Sequence, residues 1–244
     1  MRILTFQHVD VEHPGVFRDF WRESGHELVT IELDAGEAIP PLEGFDLLVV
    51  MGGPQDVWQE DRFPWLVTEK AAIRRWVKDL GKPYLGVCLG HQLLGDALGG
   101  KVALMKQPEV GLTQVKLTAA GQRDPILEGF PSEVESFQWH GAEVAVPPEG
   151  STVLAANVAC PVQAIRWGRH AYGFQYHCEM EASTVENWAR IPEYKASLTK
   201  ALGVEKANNL ANDVMPHLPG FRMSARKINE NLMNIAAKAR PAES

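Results

Sequence analysis

Lys82-Pro83-Tyr84-Leu85-Gly86-Val87-Cys88-Leu89-Gly90-His91-Gln92 decides how this chain is read. A buried strand runs to a cysteine, turns on flanking glycines and enters a helix directly. That geometry presents an exposed nucleophile at a helix N-terminus, with the glycines absorbing the strain of the turn. The positive end of the helix macrodipole favours a thiolate there, and the free backbone N–H groups can hold a developing negative charge. Taken alone, G-x-C-x-G fits a small buried hydrophobe equally well, as most free cysteines are. A second segment has to decide.

That segment is Ala171-Tyr172-Gly173-Phe174-Gln175-Tyr176-His177-Cys178-Glu179, a short aromatic-rich strand ending in a histidine and a glutamate. On an extended chain, positions i and i+2 project to the same side. His177 then faces the thiol while Glu179 fixes the imidazole tautomer from behind. An isolated H-x-E is most often a strand-end histidine beside a solvated glutamate. Joined to a cysteine elbow, it supplies a base and its orienter, giving Cys88, His177 and Glu179 as the candidate catalytic set.

The rest of the chain is patterned to match. Arg2–Phe6 reads as a first strand, Pro14–Gly25 as a helix, Glu27–Leu33 as a second strand and Asp46–Met51 as a strand buried on both faces. Glu69–Leu80 reads as a helix stopped by Gly81, Tyr84–Cys88 as the nucleophile strand and Gly90–Leu98 as the helix after it. This β-α alternation predicts a doubly wound, mostly parallel sheet with helices on both faces. From about Val102 to Ile165, short strands at Leu112–Leu117, Ser136–Trp139, Thr152–Ala156 and Gln163–Trp167 read as an antiparallel extension of the sheet edge. Glu181–Arg190 reads as a helix. Glu193–Ala239 reads as a helical tail broken near Pro216 and Pro219, with residues past Arg240 frayed. Residues 1–190 are expected to form the main domain, and 191–244 a helical extension packed on it. Ligands of open parallel sheets bind at the strand carboxyl ends. Gln7, His8, Gly52, Gly53, Cys88 and His177 all follow predicted strands and should converge there.

Gly86–Gln92 resembles the nucleophile motif of the class I glutamine amidotransferases, and Phe174–Glu179 resembles their second motif, which ends in His-Pro-Glu. Met51-Gly52-Gly53-Pro54 resembles the glycine pair of their oxyanion hole. The resemblance covers roughly the first 190 residues. It is closest to small stand-alone members similar to the glutaminase part of GMP synthase and to plant γ-glutamyl peptidases. It implies a flavodoxin-like sheet and hydrolysis of glutamine or a γ-glutamyl compound through a thioester on Cys88, without a cofactor. The oxyanion would be held by Gly52–Gly53 and the Leu89 N–H, with Gln92 on the glutamyl part of the substrate or, alternatively, on the helix surface. Cys178 departs from the family proline, which would fix φ and remove a donor. A small tolerated side chain is the expected reading, and a redox partner for Cys88 the lesser one. His140, in Gln138-Trp139-His140-Gly141, is either pocket lining or structural, and His91 is expected to pack rather than act as a base.

Composition narrows the alternatives. A net charge of −7 lacks the basic footprint of a nucleic-acid binder. No segment approaches the roughly 20 apolar residues that cross a bilayer. Three cysteines without finger spacing suit a reducing cytoplasm. His140, Glu143, His177 and Cys178 lack a clustered metal-ligand pattern, so no metal is expected. No G-x-x-x-x-G-K-[ST] loop occurs, so no ATP-using synthase domain is expected on this chain. Three functions remain: a self-sufficient γ-glutamyl hydrolase, a glutaminase passing ammonia to a separate synthase partner, and a silent binding or redox module. Retention of all three of Cys88, His177 and Glu179 weighs against the last.

Overall fold

The computed structural model describes residues 1–239. Its strands are Arg2–Gln7 (β1), Glu27–Glu32 (β2), Leu47–Val50 (β3), Tyr84–Val87 (β4), Lys101–Leu117 (β5), Glu133–Val146 (β6), Ser151–Ala156 (β7), Ala164–Trp167 (β8) and Ala171–Phe174 (β9). They form one sheet in the order β2-β1-β3-β4-β9-β8-β7-β5-β6. Pairing is parallel from β2 to β9 and antiparallel from β9 to β6. The parallel core with an antiparallel edge extension is the arrangement expected from the sequence.

Side-chain alternation explains why the central strands are apolar throughout. Leu47 and Val49 point into one core, with Phe17, Phe20 and Trp21 of Phe17–Glu23 (α1). Leu48 and Val50 point into the other, with Leu66 and Ile73 of Trp65–Arg74 (α2) and Leu93 and Leu94 of Leu89–Ala97 (α3). Helices on both faces leave no polar side to the strand. After Thr184–Trp188 (α4) come Pro192–Leu202 (α5), Val204–Val214 (α6) and Leu218–Ala239 (α7). Helix α7 lies on the α1 side, where Asn229 Oδ1 accepts from the Trp21 indole at 2.8 Å. Helices α4 to α7 add a third cluster, in which Trp188, Tyr194, Leu198, Leu210 and Phe221 cover Phe137 and Trp139 of β6.

Several boundaries differ from the sequence reading. Helix α2 starts at Trp65 rather than Glu69, because Pro64 supplies a pre-set φ just before it, and it continues as a π-helical turn over Arg75–Asp79. The predicted short strands at 112–117 and 136–139 are parts of the much longer β5 and β6. Most β5 side chains are exposed or half-buried, so burial imposes no regular alternation by which to read its length. The helix expected over 181–190 is confined to Thr184–Trp188. The tail breaks at Gly203 and at Met215–His217, while Pro219 sits in the first turn of α7, where its missing N–H costs nothing. The fraying expected past Arg240 lies outside the described residues.

Candidate active site

Because β1, β3, β4 and β9 run parallel, their carboxyl ends share one edge. Gln7 ends β1 and His8 follows it; Gly52 and Gly53 follow β3, Cys88 follows β4, and His177 lies just beyond β9. Residues far apart in sequence are thus gathered at the edge where such sheets bind ligands.

Cys88 sits between β4 and α3 with φ 53° and ψ −106°, the one non-glycine residue at positive φ among the described residues. Its N–H donates to the Phe174 carbonyl at 2.8 Å, and its own carbonyl accepts from Gln92 at 3.1 Å, so sheet and helix hold the turn from both ends. Gly90 is required beside it, since a Cβ there would fall 2.0 Å from the Val50 carbonyl oxygen. The thiol is not exposed as the sequence suggested: Cys88 is 5% accessible, with Sγ 4.0 Å from the Trp139 carbonyl. Burial pushes the thiol up, the Glu12 and Glu179 carboxyls push it further, and the Leu89 N–H and Gln175 amide pull the other way. Burial and the nearby carboxyls therefore disfavour the thiolate at this position.

His177 Nδ1 lies 2.6 Å from Glu179 Oε1, which leaves Nε2 as the ring nitrogen not engaged by Glu179. Its backbone is clamped to β6, with the N–H donating to Phe137 at 2.9 Å, and Trp188 meets the ring edge-on at 4.6 Å. Glu179 is buried rather than solvated. Its second oxygen accepts from the Cys178 N–H at 3.0 Å, a donor that proline could not offer. Cys178 itself is a buried free thiol, raised by desolvation and by Glu179.

Gly52 and Gly53 form the adjoining wall. The Gly52 carbonyl contacts His8 Nδ1 at 2.9 Å, and a Cβ on Gly52 would fall 1.8 Å from Glu12 Oε2. Between this wall and α5 lies a cavity of about 130 Å³, floored by Cys88, Leu89 and Gln92. Gln55 and Asp56 line one side, Trp139 and His140 another, and Glu193, Tyr194 and Ser197 close it from α5. Gln92 is buried, not on the helix surface; its amide donates to the Ala142 carbonyl at 3.0 Å and to Gln175 Oε1 at 3.1 Å. His140 is pocket lining and braced at once, with Nδ1 2.9 Å from the Ala142 carbonyl and Nε2 3.2 Å from Glu109. His91 packs, as expected; burial drives its ring down to about 3, so it stays neutral. A larger groove of about 760 Å³ beside β5 and β7 holds none of the candidate nucleophile, base or oxyanion residues.

The structure adds residues that sequence reasoning did not single out. Glu12, in the loop after β1, is buried and accepts from the Tyr194 hydroxyl; desolvation and the nearby Glu179 push its carboxyl well up. Gln175 braces Gln92, and Glu69 holds His8. No local pattern marks a glutamate whose partners lie on other elements. Only Gln175, which lies within Phe174–Glu179, sits in a stretch that the sequence marks.

The family description for class I glutamine amidotransferases matches residues 19–188. The chain is 33% identical over 196 residues to the glutamine amidotransferase-like protein YfeJ of Salmonella typhimurium, covering 76% of this chain and 79% of that protein. It is 35% identical over 152 residues to one subunit of the glutamine-hydrolysing GMP synthase of Saccharolobus solfataricus, covering 59% of this chain and 76% of the other. A glutamine amidotransferase of Thermotoga maritima superposes with a TM-score of 0.84 at 28% identity, covering 95% of this chain and 97% of its own.

Proposed function

This chain belongs to the class I glutamine amidotransferases, and on that premise we propose that it is a self-sufficient hydrolase of γ-glutamyl amides. Cys88 Sγ attacks the γ-carbonyl carbon while its proton passes to His177 Nε2. The Gly53 and Leu89 N–H groups receive the oxyanion. Collapse breaks the C–N bond, His177 returns the proton to the departing ammonia or amine, and a thioester remains on Cys88. Water, deprotonated by His177, then releases glutamate and restores the thiol. Glu179 holds the ring tautomer and balances the imidazolium. The observation that carries this reading is the strained Cys88 turn at the same sheet edge as a histidine already bonded to its glutamate.

A donor role toward a separate synthase is the second reading, favoured by the likeness to the GMP synthase component. What supports self-sufficiency is α5: Glu193, Tyr194 and Ser197 already close the pocket from within the chain. The test is glutamate release from glutamine and from γ-glutamyl dipeptides by the purified protein, with Cys88→Ala as the blank. Turnover above the blank, dependent on the leaving group and indifferent to an added synthase, is expected. No turnover until a synthase is present would favour the donor role.

A further inference from the structure

Behind the Gly52–Gly53 turn lies a buried ion pair that the hydrolysis scheme leaves unused. His8 follows β1, Glu69 belongs to α2, and both side chains are 0% exposed. His8 Nδ1 lies 2.9 Å from the Gly52 carbonyl oxygen, and Nε2 lies 2.8 Å from Glu69 Oε1. With Glu69 as a carboxylate, it and the Gly52 carbonyl oxygen only accept, so both ring nitrogens donate and the ring carries a positive charge. Burial alone would lower the ring's pKa; the charge and hydrogen bond of Glu69, the Gly52 carbonyl and the more distant Asp34 reverse it to a net rise. Trp65 stacks on the imidazole, 5.5 Å between centroids at 16°.

The Gly52 carbonyl and the Gly53 N–H are the two ends of one conjugated peptide unit. A charged donor on that oxygen draws electron density through the amide and makes the N–H a stronger donor. We infer that His8, held by Glu69, is a positioning residue that fixes and polarises the peptide whose Gly53 N–H receives the oxyanion. The inference rests on the hydrolase reading above. A buried ion pair is weak evidence of a stabilising role, since apolar replacements are often no worse. Glu69 Oε2 also has no hydrogen-bond partner among the described residues.

Glu69→Gln keeps the volume and leaves His8 to donate as a neutral ring. Two rates separate the possibilities: hydrolysis of a chromogenic γ-glutamyl anilide, and alkylation of Cys88 by iodoacetamide, which forms no oxyanion. Removing an oxyanion donor outright costs about 10²–10³ in rate, so weakening one should lower kcat about tenfold. KM and the alkylation rate should stay within about twofold of the unsubstituted protein. An unchanged kcat, or an alkylation rate that falls with it, overturns the relay and leaves the hydrolase standing. Absence of Cys88-dependent turnover in the unsubstituted protein overturns both. Should Glu69→Gln not fold, nitrogen NMR of His8 in the unsubstituted protein decides: both ring nitrogens protonated at neutral pH supports the relay, and a neutral ring ends it.

Discussion

At the scale of single residues, Cys88 combines two costs: a backbone conformation that L-residues avoid and a thiol shut away from water. Strained φ/ψ of this kind costs about 1–3 kcal/mol and persists where the surroundings over-determine it. Cys88→Gly should therefore be more stable than Cys88→Ala by about 1 kcal/mol, the reverse of the usual order, because glycine adopts positive φ freely. Both variants should be inactive, and denaturant melts would compare them. The raised thiol makes a second prediction. A group whose pKa lies above its ordinary value gains its thiolate only as pH rises further. Alkylation of Cys88 in the substrate-free protein should thus climb into the alkaline range; a plateau already present at neutral pH would indicate a standing thiolate–imidazolium pair. Glu179→Gln should lower kcat with little change in KM, since Glu179 contacts His177 and the Cys178 N–H.

At the scale of elements, β4 and α3 build the Cys88 turn, and α5 closes the pocket. Helix α5 lies beyond the region matched by the family description, yet it supplies two links to the site. Tyr194 donates its hydroxyl to the buried Glu12, and Ser197 Oγ accepts from the Trp139 indole at 3.1 Å. Tyr194→Phe leaves a buried carboxyl without its donor, which costs about 1–3 kcal/mol. Its kcat/KM should fall as Glu12 loosens against Gly52. Ser197→Ala should cost about 0.5–1.5 kcal/mol. Chemical denaturation with matched kinetics would check both, and two neutral substitutions would reduce α5 to a passive cover.

At the scale of the molecule, the C-terminal helices are structural partners of the sheet. They bury Phe137, Trp139 and Trp188, and Asn231 donates to the Ile126 and Glu128 carbonyls at 3.0 Å. A chain ended at residue 190 would uncover this aromatic cluster. Large exposed apolar patches lead to association, so the truncated chain should aggregate and show no Cys88-dependent hydrolysis. A soluble, active fragment 1–190 would overturn that expectation.

The central strands, the Cys88 turn and the His177–Glu179 pair were legible in the sequence because each is a local pattern. An apolar run marks a strand buried on both faces, and glycines around a cysteine mark a strained turn. The antiparallel extension was legible in kind but not in length, since the half-exposed β5 carries no clean alternation. Three-dimensional packing alone decided the rest. It placed Glu12, Glu69 and Tyr194 beside residues far away in sequence, buried the thiol expected at the surface, and turned Gln92 inward. The sequence by itself determined which side chains stand at the carboxyl ends of the parallel strands. Tertiary structure decided how buried and how charged they are, because desolvation and electrostatic contact depend on groups brought together by elements distant along the chain.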